Sequence, residues 1–250
     1  MLIRLISLRV SPEDEILGLN LSEHSIGASN EDMISQINDN LRSGDSGSKI
    51  VISPESDSHE VALHYNAVVD SFDTLNSQKQ EALDNAVFHA NHDFLTNLLN
   101  RRAMHSSLEI EIRNVIAHDL DCCLALIDID KFKTINDEHG HDIGDKAIQY
   151  TATTIRNFVR KSDIVARAGG EEFCIIFPNT GVNECYGLLE KLRAKLEKFP
   201  LYTGDLSVSI TVSIGVTGLS KEKTMGQVLK EADIALYRAK KNGRNRVDVY

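Results

Sequence analysis

Two acidic stretches carry the residue types that metal-assisted phosphate chemistry needs. Asp128-Ile129-Asp130 ends an apolar run over residues 122–129, and Gly169-Gly170-Glu171-Glu172 separates two other apolar runs. The second pattern is typical of a β-hairpin with an acidic tip. If the first run forms a strand beside that hairpin, Asp128 and Glu171 meet at one edge of a sheet. Mg²⁺ suits such a site, because it keeps several waters and takes only one or two protein carboxylates.

Each acidic stretch has a plainer interpretation when it is taken alone. The pair Gly169-Gly170 is more often part of an ordinary turn, in which Glu171 and Glu172 would simply be solvated. An acidic strand end is as often structural as functional. The rest of the chain must therefore decide between a site and a turn.

Other residues that suit a nucleotide site follow Asp130 and recur near the carboxyl end. Residues 131–145 include lysine, asparagine and aspartate side chains. A lysine beside a metal-bound phosphate neutralises developing charge, and Asn and Asp side chains can pair with guanine. Basic residues also crowd the end of the last predicted helix, at Arg238, Lys240, Lys241 and Arg244. Compensation of the helix dipole explains this basic cluster equally well.

The elements that must position these residues alternate between helix and strand. Hydrophobic periodicity predicts helices over residues 101–118, 142–159, 182–198 and 224–240. Apolar runs predict strands over 122–129, 164–168, 172–177, about 206–216, and 246–249. This order, with a hairpin in its middle, favours an α/β sandwich with a largely antiparallel sheet.

The amino-terminal third is predicted to be helical. Ser29-Asn30-Glu31 can cap a first helix, and residues 42–58 form a polar connector with an apolar middle. A heptad seam follows, made of Val61, Tyr65, Val68, Phe72, Leu75, Lys79, Ala82, Ala86 and His89. A parallel helix pair between two chains buries such a seam, although packing on its own domain is the alternative. A shifted seam at Leu83, Val87 and Ala90 offers a competing register, which a switch could use.

Composition limits the partners and the compartment. The formal net charge of −10 argues against DNA, RNA and anionic membranes as general partners. The four cysteines show no paired metal-ligand spacing, so we expect reduced core thiols in a cytoplasmic protein: Cys122, Cys123, Cys174 and Cys185. No apolar run is long enough for a spanning helix, and the first residues lack a signal-peptide pattern.

Six ordered blocks within residues 93–250 are similar to the successive motifs of the GGDEF family of diguanylate cyclases. They are residues 93–102, 128–133, 136–137, 140–145, 169–173 and 239–245. The resemblance implies a catalytic domain over 93–250 with a central sheet of polymerase-palm type wrapped by helices. It also implies an enzyme that condenses two GTP into cyclic di-GMP and releases two pyrophosphates. The alternative is a catalytically inactive receptor for cyclic di-GMP.

The resemblance assigns roles position by position. It makes Asp128, Glu171 and the Ile129 carbonyl the ligands of Mg²⁺ (or Mn²⁺), while Glu171 helps to deprotonate the attacking hydroxyl and Glu172 supports the metal. Guanine is contacted by Asn136 and Asp145, and His141 lines the substrate pocket. The phosphates are held by Lys133, Lys240 and Arg244.

Two consequences concern regulation. Each domain would hold one GTP, so that only a homodimer has a complete active site. Arg160 and Asp163 stand seven and four residues before Arg167 and resemble the family's inhibitory site for the product, although a helix-end ion pair explains a bare Arg-x-x-Asp as well.

Residues 1–92 resemble two further families. The helix, connector and second helix over residues 29–92 are similar to a HAMP signal-relay module, except that His59 replaces the usual acid and no proline opens the first helix. Residues 8–24, within a tail of residues 1–28, resemble the cytoplasmic tail of ammonium transporters. That resemblance implies either a chain that is the cytosolic part of an inner-membrane protein, with an upstream membrane transporter module, or a descendant of such a fusion.

Overall fold

The computed structural model describes residues 26–43, 48–54, 56, 58–204 and 206–250. The chain divides into two units between Asn85 and Ala86. The transporter-like residues 8–24 lie outside the described residues. Among the residues described, no helix is both long and apolar enough to span a membrane.

The first unit contains helix α1 (Ile26–Ser43), an extended connector and most of helix α2 (His59–Asn91). Helix α1 begins at Ile26, so the predicted cap at Ser29 is wrong; Ser and Asn residues are tolerated inside a helix and do not have to start one. Amide side chains of both helices hold the connector. Asn66 pairs with the N–H and the C=O of Ile50, each at 2.8 Å, and Gln36 does the same with Val51 at 3.1 and 3.2 Å.

The heptad seam of α2 is exposed along its first half. Val61, Val68, Phe72 and Leu75 are 53 to 67% exposed, whereas Ala62 and Val69 on the same helix are buried. These four side chains therefore do not pack on their own unit. An exposed apolar seam of this length is costly in water unless another surface covers it.

The second unit is built on a five-stranded sheet with the order β2-β3-β1-β6-β7. The strands are β1 (Cys122–Ile129), β2 (Ile164–Gly169), β3 (Glu172–Pro178), β6 (Val212–Gly218) and β7 (Arg246–Val249). All neighbouring pairs are antiparallel except β6 and β7. The predicted, largely antiparallel α/β fold is thus confirmed.

Seven helices and strands complete this unit: α3 (Arg101–His118), α4 (Phe132–His139), α5 (His141–Phe158), α6 (Val182–Lys198), β4 (Leu201–Thr203), β5 (Leu206–Val208) and α7 (Met225–Lys241). The single strand predicted over 206–216 is wrong, because β5 pairs with β4 in a separate hairpin and β6 begins at Val212. The short helix α4 was not predicted, since its apolar positions are too few to show a period.

The sheet is covered on both faces. One face packs on α5 and α6, through side chains such as Ile148, Ile155 and Leu189. The other packs on α3 and α7, through side chains such as Met104 and Val228. All four cysteines are free and buried in these cores, as predicted.

Helix α7 lies directly against β6. A Cβ at Gly215 would come within 2.2 Å of the Leu236 backbone nitrogen, so only glycine permits this approach. The contact seats α7 on the sheet at Leu236, one turn before Lys240. Lys240 thereby reaches Asp128 on β1.

Candidate active site at the hairpin tip

Strand β1 lies beside the acidic hairpin, as predicted. Its last residues face the start of β3, with Asp128 opposite Glu172. The Ile129 N–H donates to the Glu171 carbonyl at 3.3 Å. The carboxyl end of β1 and the turn of the β2–β3 hairpin therefore share one end of the sheet.

The hairpin turn leaves room above its glycines. Gly170 has a φ of +47°, a left-handed conformation that favours glycine, and a Cβ at either Gly169 or Gly170 would meet open space. A ligand can therefore approach the backbone of this turn closely. The Arg167 Nε donates to the Gly170 carbonyl at 2.8 Å and braces the turn from within.

Arg167 also ties the hairpin to the segment after α2. Its Nη1 donates to both carboxylate oxygens of Asp93, at 3.0 and 3.1 Å. Backbone hydrogen bonds run alongside, from the Leu99 N–H to the Val165 carbonyl and from the Arg167 N–H to the Leu99 carbonyl. Side-chain and backbone hydrogen bonds thus connect residues 93–99 directly to the hairpin.

Asp128 is the electrostatic centre of the site. Its side chain is buried, and burial raises the pKa of this carboxyl to about 6, although the Lys240 ammonium opposes the shift. The negative charges of Glu171 and Glu172 raise it further. Lys240 Nζ lies 2.7 Å from Asp128 Oδ2. A desolvated carboxylate beside two more carboxylates attracts a cation strongly.

These donors fit a hard divalent ion. Carboxylate and carbonyl oxygens are the ligands that Mg²⁺ and Mn²⁺ prefer. Among the described residues, no three His, Cys, Asp or Glu side chains are grouped as a metal site. The hairpin end thus offers Asp128 and a neighbouring Glu rather than an all-protein cage, which matches an ion that keeps its waters and binds substrate phosphates.

Helices α4 and α5 bring the predicted guanine-binding residues together. The Asn136 amide oxygen is buried and accepts no hydrogen bond from any described residue. It lies against Gly144, where an added Cβ would come within 1.8 Å of it. Asp145 follows Gly144 on α5 and is exposed, as are His141 at the start of α5 and Lys133 on α4. An unpartnered acceptor next to an exposed carboxylate suits the donor-rich edge of a guanine.

The predicted phosphate-binding residues lie on different elements. Lys240 ends α7 at Asp128, while the exposed Arg244 sits in a turn after α7 with a φ of +64°. The Arg244 N–H donates to the Ala239 carbonyl at 3.0 Å. Lys133, Lys240 and Arg244 thus lie on α4, on α7 and in this turn. They are far apart in the sequence, so only the tertiary structure can bring them to one anion.

Comparison with protein families identifies the second unit. Residues 90–246 match the family described as diguanylate cyclase, GGDEF domain, which is more than half of the chain. The chain belongs to the GGDEF family.

Individual relatives of this GGDEF protein agree. It is 40% identical over 175 residues to the diguanylate cyclase DgcP of Pseudomonas aeruginosa, which is 70% of this chain but 25% of DgcP. It is similar to the coiled coil and GGDEF domain of DgcB from Caulobacter crescentus in complex with c-di-GMP, with a TM-score of 0.70, 32% identity, and coverage of 74% of this chain and 98% of that one.

A third relative of the GGDEF chain extends over nearly its whole length. The diguanylate cyclase SiaD of Pseudomonas aeruginosa, in complex with its activator SiaC, has a TM-score of 0.64 and 27% identity. The match covers 96% of this chain and 92% of that one.

The pair predicted to bind product is brought together in the GGDEF domain, but both residues have internal partners. Asp163 is buried, and its Oδ2 accepts from the Arg160 N–H at 2.8 Å. The Arg160 guanidinium forms an ion pair with Glu184 on α6 at 2.8 Å. A ligand at this place would therefore have to compete with Glu184 for Arg160.

Sequence reasoning gave no role to four residues that shape this site. Asp93 and Arg167 join the hairpin to the turn after α2, and Asp130 and Asn245 join the end of β1 to the turn after α7. Asp93, Asp130 and Asn245 lie inside the quoted motif blocks, whereas Arg167 lies two residues before the block at 169–173. Asp130 and Asn245 also adjoin residues that were assigned roles, Ile129 and Arg244.

Proposed function

We propose that this chain is a diguanylate cyclase, which condenses two GTP into cyclic di-GMP and releases two pyrophosphates. The observation that carries the proposal is the buried Asp128 carboxylate beside the acidic hairpin, with Lys240 at 2.7 Å and an open space above two glycines. Because the chain spans a quarter of the length of DgcP, the activity of that relative supports the proposal without deciding it.

In this proposal each group has one task. A divalent ion held by Asp128, Glu171 and the Ile129 carbonyl would activate the attacking hydroxyl and neutralise charge at the α-phosphorus. Glu171 accepts the proton of the 3′-hydroxyl, and Glu172 supports the metal site. Guanine is read by Asn136 and Asp145 beside His141, and the phosphates are held by Lys133, Lys240 and Arg244.

The reaction consists of two identical steps, and each step forms one bond to phosphorus and breaks one. The 3′-oxygen of one GTP forms a bond to the α-phosphorus of the other, the bond from that phosphorus to the bridging oxygen breaks, and pyrophosphate leaves. The hydroxyl proton passes to the base. One domain holds one GTP, so two domains must face each other.

We propose that the exposed seam of α2 supplies this closeness as a parallel helix pair. Its exposed apolar side chains support the pairing, and so does the coiled coil named in the DgcB relative. Pairing raises the effective concentration of one domain near the other. Sedimentation of the full chain tests this: Val68→Asp should give monomers and slow turnover, whereas Ser77→Asp, at an exposed position on the opposite side of α2, should leave the dimer intact. A dimer that survives Val68→Asp would contradict the pairing.

The proposal also covers the amino-terminal segments. In it, residues 29–92 form a signal relay and residues 1–28 form a tail. The amide hydrogen bonds that hold the connector between α1 and α2 support a HAMP-like relay. The ammonium-transporter-like tail, with its cytosolic location below an inner-membrane module, rests on the resemblance alone. The activity of the full chain can be measured at increasing ammonium concentrations. A rate that does not change would contradict direct sensing of ammonium by this chain.

The decisive experiment is incubation of the full chain with GTP and Mg²⁺, followed by separation of the nucleotides. Cyclic di-GMP and pyrophosphate are the expected products. Glu171→Gln should abolish turnover, whereas Glu109→Gln on the exposed face of α3 should not. Product bound without any turnover would instead support the receptor alternative. Arg160→Ala should relieve inhibition by added product if Arg160 and Asp163 form the inhibitory site.

A further inference from the structure

Asp130 lies one residue beyond β1 and uses both of its oxygens internally. Its Oδ1 accepts from the Ser213 hydroxyl at 2.6 Å, and its Oδ2 accepts from the Thr211 hydroxyl at 2.9 Å and from the Asn245 N–H at 2.9 Å. The side chain is buried, and its own N–H donates to the Thr211 carbonyl. A carboxylate already accepting three hydrogen bonds has little capacity left for a metal ion.

The Asn245 N–H belongs to a turn with an unusual backbone. Arg244 and Asn245 have φ values of +64° and +45°, and two successive non-glycine residues rarely adopt this conformation. Such a turn persists only where its surroundings hold it. Asn245 is held on its other side by Arg193 at 2.9 Å and by Glu197 at 2.8 Å, both on α6.

We propose that Asp130 is a positioning residue for substrate phosphate and not a metal ligand. It fixes the turn through the Asn245 N–H and thereby holds the exposed Arg244 over the phosphate-binding end of the site. The inference rests on the proposed function for the identity of the substrate. It separates the two aspartates of one motif: Asp128 faces the cation, whereas Asp130 anchors the backbone that carries an arginine.

The test compares Asp130→Asn with Asp128→Asn in the full chain. Asp130→Asn keeps the size of the side chain but replaces one acceptor oxygen with a donor that faces other donors. We expect KM for GTP to rise about tenfold, because one charge-assisted contact is lost. We expect kcat and the half-saturating Mg²⁺ concentration to stay within about twofold of the wild-type values. Asp128→Asn should instead abolish turnover. Asp119→Asn, at the end of α3 where the side chain is 84% exposed, is the matched control and should change neither constant.

Two further variants separate positioning from a general loss of structure. Arg244→Ala should raise KM, and the Asp130→Asn/Arg244→Ala double variant should raise it no further, because Asp130 acts through Arg244. Multiplying effects in the double variant, or a raised Mg²⁺ requirement in Asp130→Asn, would overturn the inference. If circular dichroism shows that Asp130→Asn does not fold, Thr211→Val is used instead, because it removes only one of the donors to Asp130. It should raise KM two- to threefold, which corresponds to roughly half the free energy of one hydrogen bond.

Binding of 3′-deoxy-GTP, which lacks the attacking hydroxyl, provides a readout that does not need turnover. Its Kd, measured by calorimetry with Mg²⁺, should follow KM across the same variants. An inactive wild type that still binds this analogue, more weakly after Asp130→Asn, would overturn the proposed activity and support the positioning role. A wild type that does not bind it would overturn both.

Discussion

Replacing Arg167 with alanine should weaken the attachment of the acidic hairpin to the segment that follows α2. The guanidinium donates twice to Asp93 and once to the Gly170 carbonyl, at 2.8 to 3.1 Å. The two side chains of the ion pair are only 12 and 16% exposed, so water screens the pair weakly. Asp93 also accepts from the Thr96 N–H and hydroxyl, which keeps this carboxylate in place after the arginine is lost.

The expected cost follows from those contacts. Hydrogen bonds to charged groups contribute about 1.5–3 kcal/mol each, and a buried partner left alone adds its desolvation cost. We expect Arg167→Ala to lower the free energy of unfolding by about 3 kcal/mol, and Asp93→Ala by about 2 kcal/mol. Because the two residues share one interaction, the double variant should lose about 2 kcal/mol less than the sum of the single losses.

The pair should also weaken in acid. Burial by itself raises the pKa of Asp93, but the Arg167 and Thr96 hydrogen bonds outweigh it, so the pKa is lowered from 3.8. A lowered pKa means that the stabilisation is fully present above the unfolded value and is lost as the pH falls through the folded value. The coupling measured at pH 7 should therefore shrink as the pH falls below 3.8 and through the lowered pKa of Asp93 in the folded protein.

Urea unfolding of the wild type, the two single variants and the double variant gives the coupling free energy directly. The exposed pair of Arg113 and Glu109, 63 and 64% exposed, is the matched control. Its alanine cycle should give less than about 0.5 kcal/mol. Additive losses for Arg167 and Asp93 at pH 7 would show that the two groups do not stabilise each other, and the proposed link between the turn and the hairpin would be refuted.

Three further predictions address the site and its surroundings. Gly144→Ala should raise KM for GTP about tenfold with little loss of stability, because its Cβ would displace the Asn136 amide oxygen at 1.8 Å; an unchanged KM would contradict a role of Asn136 in binding guanine. The half-saturating Mg²⁺ concentration should rise about tenfold per pH unit below pH 6, because the metal must displace a proton from Asp128, whose pKa is about 6. Mg²⁺ titrations at pH 5, 6 and 7.5 check this, and a half-saturating concentration that does not change with pH would exclude Asp128 as a ligand. Ala168→Leu should raise Tm by a few degrees, worth about 1 kcal/mol, because residue 168 lines a cleft of about 200 Å³ between α3 and α7; a lower Tm would show that this cleft cannot accept a larger side chain.

Most of the fold could be predicted because its signals are local. The continuous apolar run of β1, the acidic hairpin and the periodic helices α3, α5, α6 and α7 each carry their pattern within a few residues. Of the wrong predictions, the cap at Ser29 followed a local pattern that also occurs inside helices, and the strand over 206–216 depended on a pairing that is not local. The strand expected over 206–216 is divided because Leu206–Val208 finds a partner in Leu201–Thr203, and no local pattern announces that pairing.

The sequence by itself determined which chemical groups this protein has and in what order: the aspartates at the end of β1, the carboxylates of the hairpin and the basic end of α7. Only the tertiary structure decided which of them meet. Asp128 faces Lys240, 112 positions further along the chain, because Gly215 lets α7 approach the sheet. Asp130, only two residues away, faces the Asn245 backbone instead. Positions two apart along a strand point to the same face, but what each one contacts depends on the elements packed around it. The same motif therefore contains one group aimed at a cation and another that holds the turn carrying Arg244.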